Sequence, residues 1–384
     1  MTSKLRILFL TLIFGIAFMA KGDRNDTTVC FVNFYPGSDI YELEGHSALR
    51  ITLPDNDLAI SYGTYDFEQP NFVYRFVKGE TDYWVTAVPW QYMEAAYRRD
   101  GRRIVSHHID LTADQKLRLI ELLAENLQPQ NRTYRYNYVK DNCATRPLGM
   151  LEKALGDSIS LVPTDLPYAG AQTFRSVMRH YHSNYPWYQF GIDLALGSGI
   201  DYTLSEREKS FAPVILDRQL HGATVGGKKL VGSVDVINDT APDAAVLAPT
   251  PWYATPMTVC CLVLISAILL TFRDIRRHKV SRWFDAALYG IFGLAGCLIS
   301  FLVFISVHEA TSPNILLLWL NPLCFIPTIF IWIKRCRLII FSYQIVNFVA
   351  LLILIAFSIA GYQSLNTAFY PLILADAIRS TSYI

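Results

Sequence analysis

Residues 141–148 read Asp-Asn-Cys-Ala-Thr-Arg-Pro-Leu and follow the tyrosine-rich run Tyr-Arg-Tyr-Asn-Tyr-Val at 134–139. The run has strand composition. Pro147 is compatible with a helix only in its first turn, so the stretch reads as a strand passing into a helix, with Cys143 at the helix N-terminus. Far upstream, residues 44–50 read Glu-Gly-His-Ser-Ala-Leu-Arg and put His46 at the start of a strand, directly after a glycine. A helix N-terminal field and a nearby imidazole both stabilise a thiolate. Cys143 and His46 are therefore a candidate nucleophile and base, although spacing alone leaves an inert thiol and an isolated histidine as the commoner outcome.

The surrounding chain is mixed α and β. Residues 28–34 and 48–53 read as strands, and the turn cluster Pro54-Asp55-Asn56-Asp57 leads into a third at 58–64, forming a hairpin. Pairing around Asp55-Asn56 sets His46 opposite Tyr65, with Thr64 and Asp66 beside it, which makes Asp66 the chemically best candidate to orient the ring. Thr112-Ala113-Asp114-Gln115 is a capping box opening a helix whose Leu119, Leu122, Leu123 and Leu127 form one apolar stripe. Residues 222–251, rich in Gly, Ala, Asp and Pro, read as a tether.

Beyond that tether the chain becomes lipid-like. Only 17% of the 384 residues are charged, against roughly 25% in soluble domains, and a mean hydropathy of +0.24 agrees with membrane segments. Residues 252–272, 283–307 and 338–360 each approach the roughly 20 residues needed to cross a bilayer. A fourth apolar run, 315–333, is interrupted by Asn321-Pro322 and is expected to bend under the cover of neighbouring helices. The tail 363–379 contains Asp376 and is either a short fifth span or an interfacial segment.

Orientation follows from basic residues. Arg273, Arg276, Arg277, Lys279 and Arg282 lie after the first span, and Lys334, Arg335 and Arg337 before the last. The positive-inside rule puts both groups in the cytoplasm, so the region before residue 252 lies outside it. Residues 1–20, with Lys4 and Arg6 before an apolar run, form a secretory signal, either cleaved or retained as an anchor. Near-zero net charge (+1) argues against nucleic acid as a partner. Of seven cysteines only Cys30 and Cys143 fall in the exported region, where a disulfide between them is the ordinary alternative to a reactive thiol. No metal motif such as HExxH is present.

The order His46 before Cys143 resembles the circularly permuted papain-like enzymes related to NlpC peptidases. The wider pattern is more specific: Gly45-His46 to Arg50, Tyr62-Gly63-Thr64-Tyr65-Asp66-Phe67, Asn71-Phe72, Lys78-Gly79, Asn131-Arg132, Asp141 to Arg146, Ser312-Pro313-Asn314 and Leu318 to Pro322. It resembles the Lnb-type lipoprotein N-acyltransferases of Bacteroidota. The resemblance implies an α+β fold: a permuted papain-like (NlpC-like) catalytic domain at 21–221 in the periplasm, the linker at 222–251, and a helical membrane domain at 252–384 with four or five spans in the inner membrane. It also implies transfer of an acyl chain from a phospholipid donor, through a Cys143 thioester, to the α-amine of a diacylglyceryl lipoprotein. Neither ATP nor a metal or other cofactor is required, since thioester to amide is downhill.

Other residues have two readings each. Arg146, one turn after Cys143, is a candidate for the phospholipid phosphate or a packing residue; Arg50 is a weaker candidate on a strand edge. Asn142 either supplies an oxyanion-hole donor or caps the helix. His107, His108, His180 and His182 lack a partner constellation and are expected at the surface. Two further functions stay open at this point, a membrane-tethered cell-wall amidase or endopeptidase and a non-catalytic envelope assembly protein with a Cys30–Cys143 disulfide.

Overall fold

The computed structural model describes residues 27–165, 172–242 and 246–383; the signal segment 1–20 lies outside the described residues. The chain divides into two compact units that do not follow chain order. The first comprises the described parts of Met1–Phe76, Glu80–Gly170 and Leu204–Leu247, and the second comprises Val77–Gly79, the described part of 171–203, and the chain from Ala248 onward.

The elements of the first unit, with the helix that leaves it, are β1 (Thr28–Phe34), β2 (His46–Leu53), β3 (Asn56–Thr64), α1 (Phe72–Lys78), β4 (Asp82–Pro89), α2 (Trp90–Arg99), β5 (Ile104–Ile109), α3 (Ala113–Leu127), β6 (Thr133–Arg135) and α4 (Thr145–Leu155). After the excursion into the second unit come the helix Pro213–Leu220 and the strand Val231–Asn238. The strands make one antiparallel seven-stranded sheet in the order β6-β4-β3-β2-β1-β5 with Val231–Asn238 at the far edge.

Alternation along the strands builds two cores, as a pleated sheet covered on both faces requires. On one face Phe31, Leu49, Ile51 and Ile60 pack with Leu119, Leu123, Leu148 and Leu216. On the other, Cys30, Val32, Phe34 and Ala48 pack with Trp90 and the partly buried Tyr97 of α2. The capping box at Thr112 forms as expected, its side chain accepting from Gln115 N–H while the Gln115 side chain accepts from Thr112 N–H.

Two sequence expectations change here. The stretch 222–251 is not a simple tether, because Thr224–Val225 pairs with Lys228–Lys229 and Val231–Asn238 pairs with β5. An edge strand needs few apolar residues, so its composition resembles a linker. The β2–β3 register also differs. Leu53 pairs with Asn56, leaving Pro54-Asp55 as a two-residue turn, and the register runs to Ala48 opposite Ser61. The whole pairing is two residues away from the expected one, which keeps each side chain on its face but changes its neighbours.

The second unit holds three helices long and apolar enough to cross a membrane among the described residues, within Pro256–Arg277, Arg282–Phe304 and Lys334–Ile359. The fourth apolar run breaks at Asn321-Pro322 into short 3-10 turns and the helix Phe325–Phe330. Asn321 covers the break by accepting from Leu323 N–H and donating to the Leu317 carbonyl. Gly296 makes the close approach possible, since a Cβ there would lie 2.4 Å from the Asn321 backbone. The tail forms a buried helix, Phe369–Thr381; at 1.5 Å per residue it spans only about 20 Å, short of a hydrocarbon core.

The helices Phe174–Tyr181 and Pro186–Ala195 belong to this unit rather than to the sheet domain. Arg175 is fully buried and bonds Asp193, Asp201 and the carbonyls of Leu196 and Gly197. Gly197 N–H and Ser198 N–H donate to the carbonyls of Ala310 and Pro313, in the loop that follows the second long helix. A Cβ on Gly197 would sit 2.2 Å from the Pro313 oxygen, so only glycine allows this contact.

Candidate active site

Cys143 stands immediately before α4, where Asn142 holds the chain. The Asn142 carbonyl oxygen accepts from the N–H groups of Ala144 and Thr145, and its amide nitrogen donates to the carbonyls of Tyr138 and Phe211. Its amide is thus fully engaged in capping the helix and pinning the loop, which leaves it no free donor for an oxyanion. The buried Cys143 sulfur lies 3.9 Å from the Tyr136 hydroxyl that points at it, and the peptide amide of Ser47, the residue after His46 on β2, acts on the thiol to lower its pKa. The thiol thus lies within the electrostatic reach of the strand that carries the histidine. Gly63, at a φ of +92°, leaves room for the Tyr136 ring, which a Cβ there would approach to 3.1 Å.

His46 follows Gly45, whose φ of +88° and whose Cβ position, 2.4 Å from the Phe34 carbonyl oxygen, both exclude any other residue. Its Nε2 lies 2.8 Å from Ser61 Oγ, and its ring is flanked by Phe34 and stacked at 6.3 Å on Tyr97. The two groups rest uncharged. Burial pushes the Cys143 thiol up to about 11, with the Ser47 N–H and the Tyr136 hydroxyl opposing it. Burial, and then the charge of Arg102, push His46 down to about 3. The resting pair is accordingly thiol and imidazole, not the thiolate expected from a helix N-terminus, because desolvation outweighs the hydrogen bonds here.

The remaining sequence candidates are not gathered at this pair. Asp66 is exposed and its carboxylate accepts from Glu68 N–H, two residues on; the corrected register removes it from the His46 ring and Ser61 takes the adjacent position. Arg146 is clamped by Asp141 through two hydrogen bonds of 2.6 and 2.8 Å, with its guanidinium 3.5 Å from the Tyr134 ring centroid. Arg50 is held by Asp57 and lies over Trp90. Both arginines are spent on protein partners. Cys30 and Cys143 are free thiols, and Cys30 lies 3.4 Å from His108 Nδ1.

Sequence reasoning missed Ser61, Tyr136, Tyr97 and Arg102. Arg102 is 1% exposed, donates to Glu42 and the Tyr35 carbonyl, and lies over the Tyr97 ring. Next to Arg103 and Gly101 it resembles a solvated charge run, and only the fold buries it. His107 and His182, expected at the surface, are buried as well. His107 Nε2 lies 2.7 Å from Asp217, which also accepts from the Tyr35 hydroxyl, and His221 bonds the Asp217 carbonyl. Burial works to raise the Asp217 pKa, but these hydrogen bonds hold it below the usual value. His107, Asp217 and His221 are the cluster with metal-ligand chemistry among the described residues; the His107–Asp217 separation is that of a direct hydrogen bond.

An α+β domain joined to a bundle of apolar helices defines the class, a membrane-attached protein with one folded domain outside the lipid. Two family models match the chain: the Lnb N-terminal periplasmic domain over residues 18–180 and the Lnb transmembrane domain over residues 249–384. The chain belongs to the Lnb family of lipoprotein maturation and is a membrane protein with a periplasmic domain. No curated protein and no solved structure matches it.

Proposed function

We propose that the protein is a lipoprotein N-acyltransferase of the inner membrane, moving an acyl chain from a phospholipid to the α-amine of the lipidated N-terminal cysteine of lipoproteins through Cys143. The single observation that carries this reading is the buried Cys143 thiol before α4, faced by the Tyr136 hydroxyl and influenced by the Ser47 amide next to His46, in a chain whose last third is dominated by apolar helices.

Because both groups rest neutral, His46 acts as a general base at the moment of attack. Its imidazole takes the thiol proton as sulfur bonds to the ester carbonyl carbon; the carbon–oxygen bond then breaks and the proton passes to the departing lysophospholipid hydroxyl. In the second half the acceptor amine attacks the thioester, its proton goes to His46, and the sulfur leaves and regains a proton. Ser61 holds the ring, and the Ser47 N–H stabilises negative charge on sulfur. No cofactor enters the scheme.

Mass spectrometry of lipoprotein N-termini tests the reading. Cells carrying the wild-type chain should yield N-acylated cysteine, and cells carrying Cys143→Ser should accumulate the free amine. Unchanged N-acylation in the variant overturns the assignment, and release of cell-wall peptides without any lipid product supports an amidase instead.

A further inference from the structure

Helix α1 contributes nothing to the core: none of its residues is buried. It nevertheless carries Val73 at 73% exposure, Tyr74 at 54% and Phe76 at 49%, beside Phe67 at 61% and Tyr41 at 55%. Soluble surfaces rarely expose so many large apolar side chains together. The rings form a connected series, with Tyr41 and Phe72 each meeting Phe67, and Phe76 meeting Phe72. Through Tyr65 and Tyr83 the series continues to Tyr136, whose hydroxyl points at the Cys143 sulfur.

We propose that this aromatic face is a bilayer-docking surface whose occupant is the outer leaflet of the phospholipid membrane. The commitment to lipid comes from the end of the same helix. Val307 N–H donates to the Lys78 carbonyl at 2.9 Å, and Ser306 Oγ donates to the Val77 carbonyl at 2.9 Å. Gly79 packs so closely on Val307 that an added Cβ would meet its side chain at 2.9 Å. These partners follow directly on Arg282–Phe304, one of the membrane-length helices, at the end opposite the basic loop 273–282. The C-terminus of α1 is therefore fixed at the level where that helix leaves the lipid, on the periplasmic side. Tyrosine at that depth is a residue of the interfacial belt, and phenylalanine suits the apolar face of a helix lying in the interface. A protein partner would need no such anchorage at the end of a membrane helix.

The surface itself rests only on membrane attachment; its purpose, bringing the thiol to the depth of lipid esters, rests on the acyl-transfer reading above. The test uses the full chain in nanodiscs of phosphatidylcholine and phosphatidylglycerol, with Cys261, Cys297 and Cys336 replaced by serine. An environment-sensitive fluorophore is attached at Val73→Cys or, as a control on an exposed position of α3, at Glu121→Cys. Doxyl-labelled phosphatidylcholine should quench the label at 73 several-fold more than the label at 121. Equal quenching overturns the proposal, as does a blue-shifted label at 73 that doxyl lipid does not reach, which indicates cover by protein.

A second arm separates this proposal from the chemistry. The double variant Val73→Asp, Phe76→Asp should lower the rate of Cys143 acylation by vesicle phospholipid about tenfold while leaving acylation by a water-soluble short-chain thioester unchanged. Equal loss with both donors overturns the docking role. A wild-type chain acylated by neither donor counts against acyl transfer and leaves the quenching result to decide the surface.

Discussion

The two units handle buried polarity in opposite ways. In the periplasmic unit the candidate pair itself carries no charge: the thiol and imidazole sit beside tyrosine, phenylalanine and Ser61, and both stay neutral, while the nearby buried Arg102 is paired with Glu42. In the membrane unit charge is kept and compensated. Arg379, fully buried, makes two bonds to Asp285 and one each to Asp274 and Thr271. Nearby, the Tyr289 hydroxyl lies within 2.9 Å of both Asp376 and Gln344 and donates to one of them, Asn347 donates to Asp376, and Ser380 donates to Gln344. Apolar helices gain little by meeting one another in lipid, so polar contacts specify how they pack. A nucleophile, by contrast, is useful only if no neighbour already satisfies it.

That contrast predicts different costs for comparable substitutions. Cys143→Ser, and separately His46→Ala, should lower acyl transfer at least ~10³-fold while the chain still inserts, with the unfolding midpoint unchanged in Cys143→Ser, measured on purified protein with a phospholipid and a diacylated lipopeptide. Arg379→Met should do the reverse. It strands two buried carboxylates and should cost about 3–5 kcal/mol, read as a lowered unfolding midpoint in detergent, with no specific change in Cys143 chemistry in the folded fraction. If instead Cys143→Ser unfolds the chain, the distinction drawn between the units fails.

Subtler changes sharpen the picture. Ser61→Ala should reduce turnover between about 10- and 100-fold by freeing the His46 ring, with protein yield unaffected. The pH response follows from the two shifted groups. His46 titrates near 3 in the folded chain against 6.5 ordinarily, so its contribution to stability is complete above 6.5 and is lost as pH falls toward 3. Cys143 has the opposite sense: its contribution holds below 9 and is lost as pH rises toward 11. Midpoints measured from pH 6.5 down to 4 should fall less in His46→Gln than in the wild type. Smallest of all, Asp66→Asn should change neither activity nor stability by more than about 0.5 kcal/mol; a large loss of activity would return Asp66 to the site.

Much of this arrangement was legible in the sequence where one residue type has one use. The glycine before His46, the capping box at Thr112, Pro147 in the first turn of α4 and the break at Asn321-Pro322 all follow from local backbone rules. What escaped depends on distant partners. The β2–β3 register turns on whether Pro54-Asp55 alone makes the turn, and a shift of two residues takes Asp66 away from the His46 ring, which meets Ser61 instead. Arg146 and Asn142 carry the right chemistry for lipid or oxyanion, yet Asp141, Tyr138 and Phe211 occupy them first. Arg102 and His107 have sequences suited to the surface, and only long-range packing buries them.

The division of the chain into interleaved stretches also bears on biosynthesis. Residues 77–79 and 172–203 leave the ribosome before any of the long apolar helices they join, so the membrane unit cannot close until the last span and the tail have been made. Arg175 gives the waiting segment partners of its own in Asp193 and Asp201, whereas Asn366 reaches Asp193 and Ser364 reaches Arg179 only once synthesis is nearly complete. Truncation within the last thirty or so residues should therefore leave the sheet domain able to fold while depriving the excursion of its final clasp, and such chains are expected to be early substrates of envelope proteases.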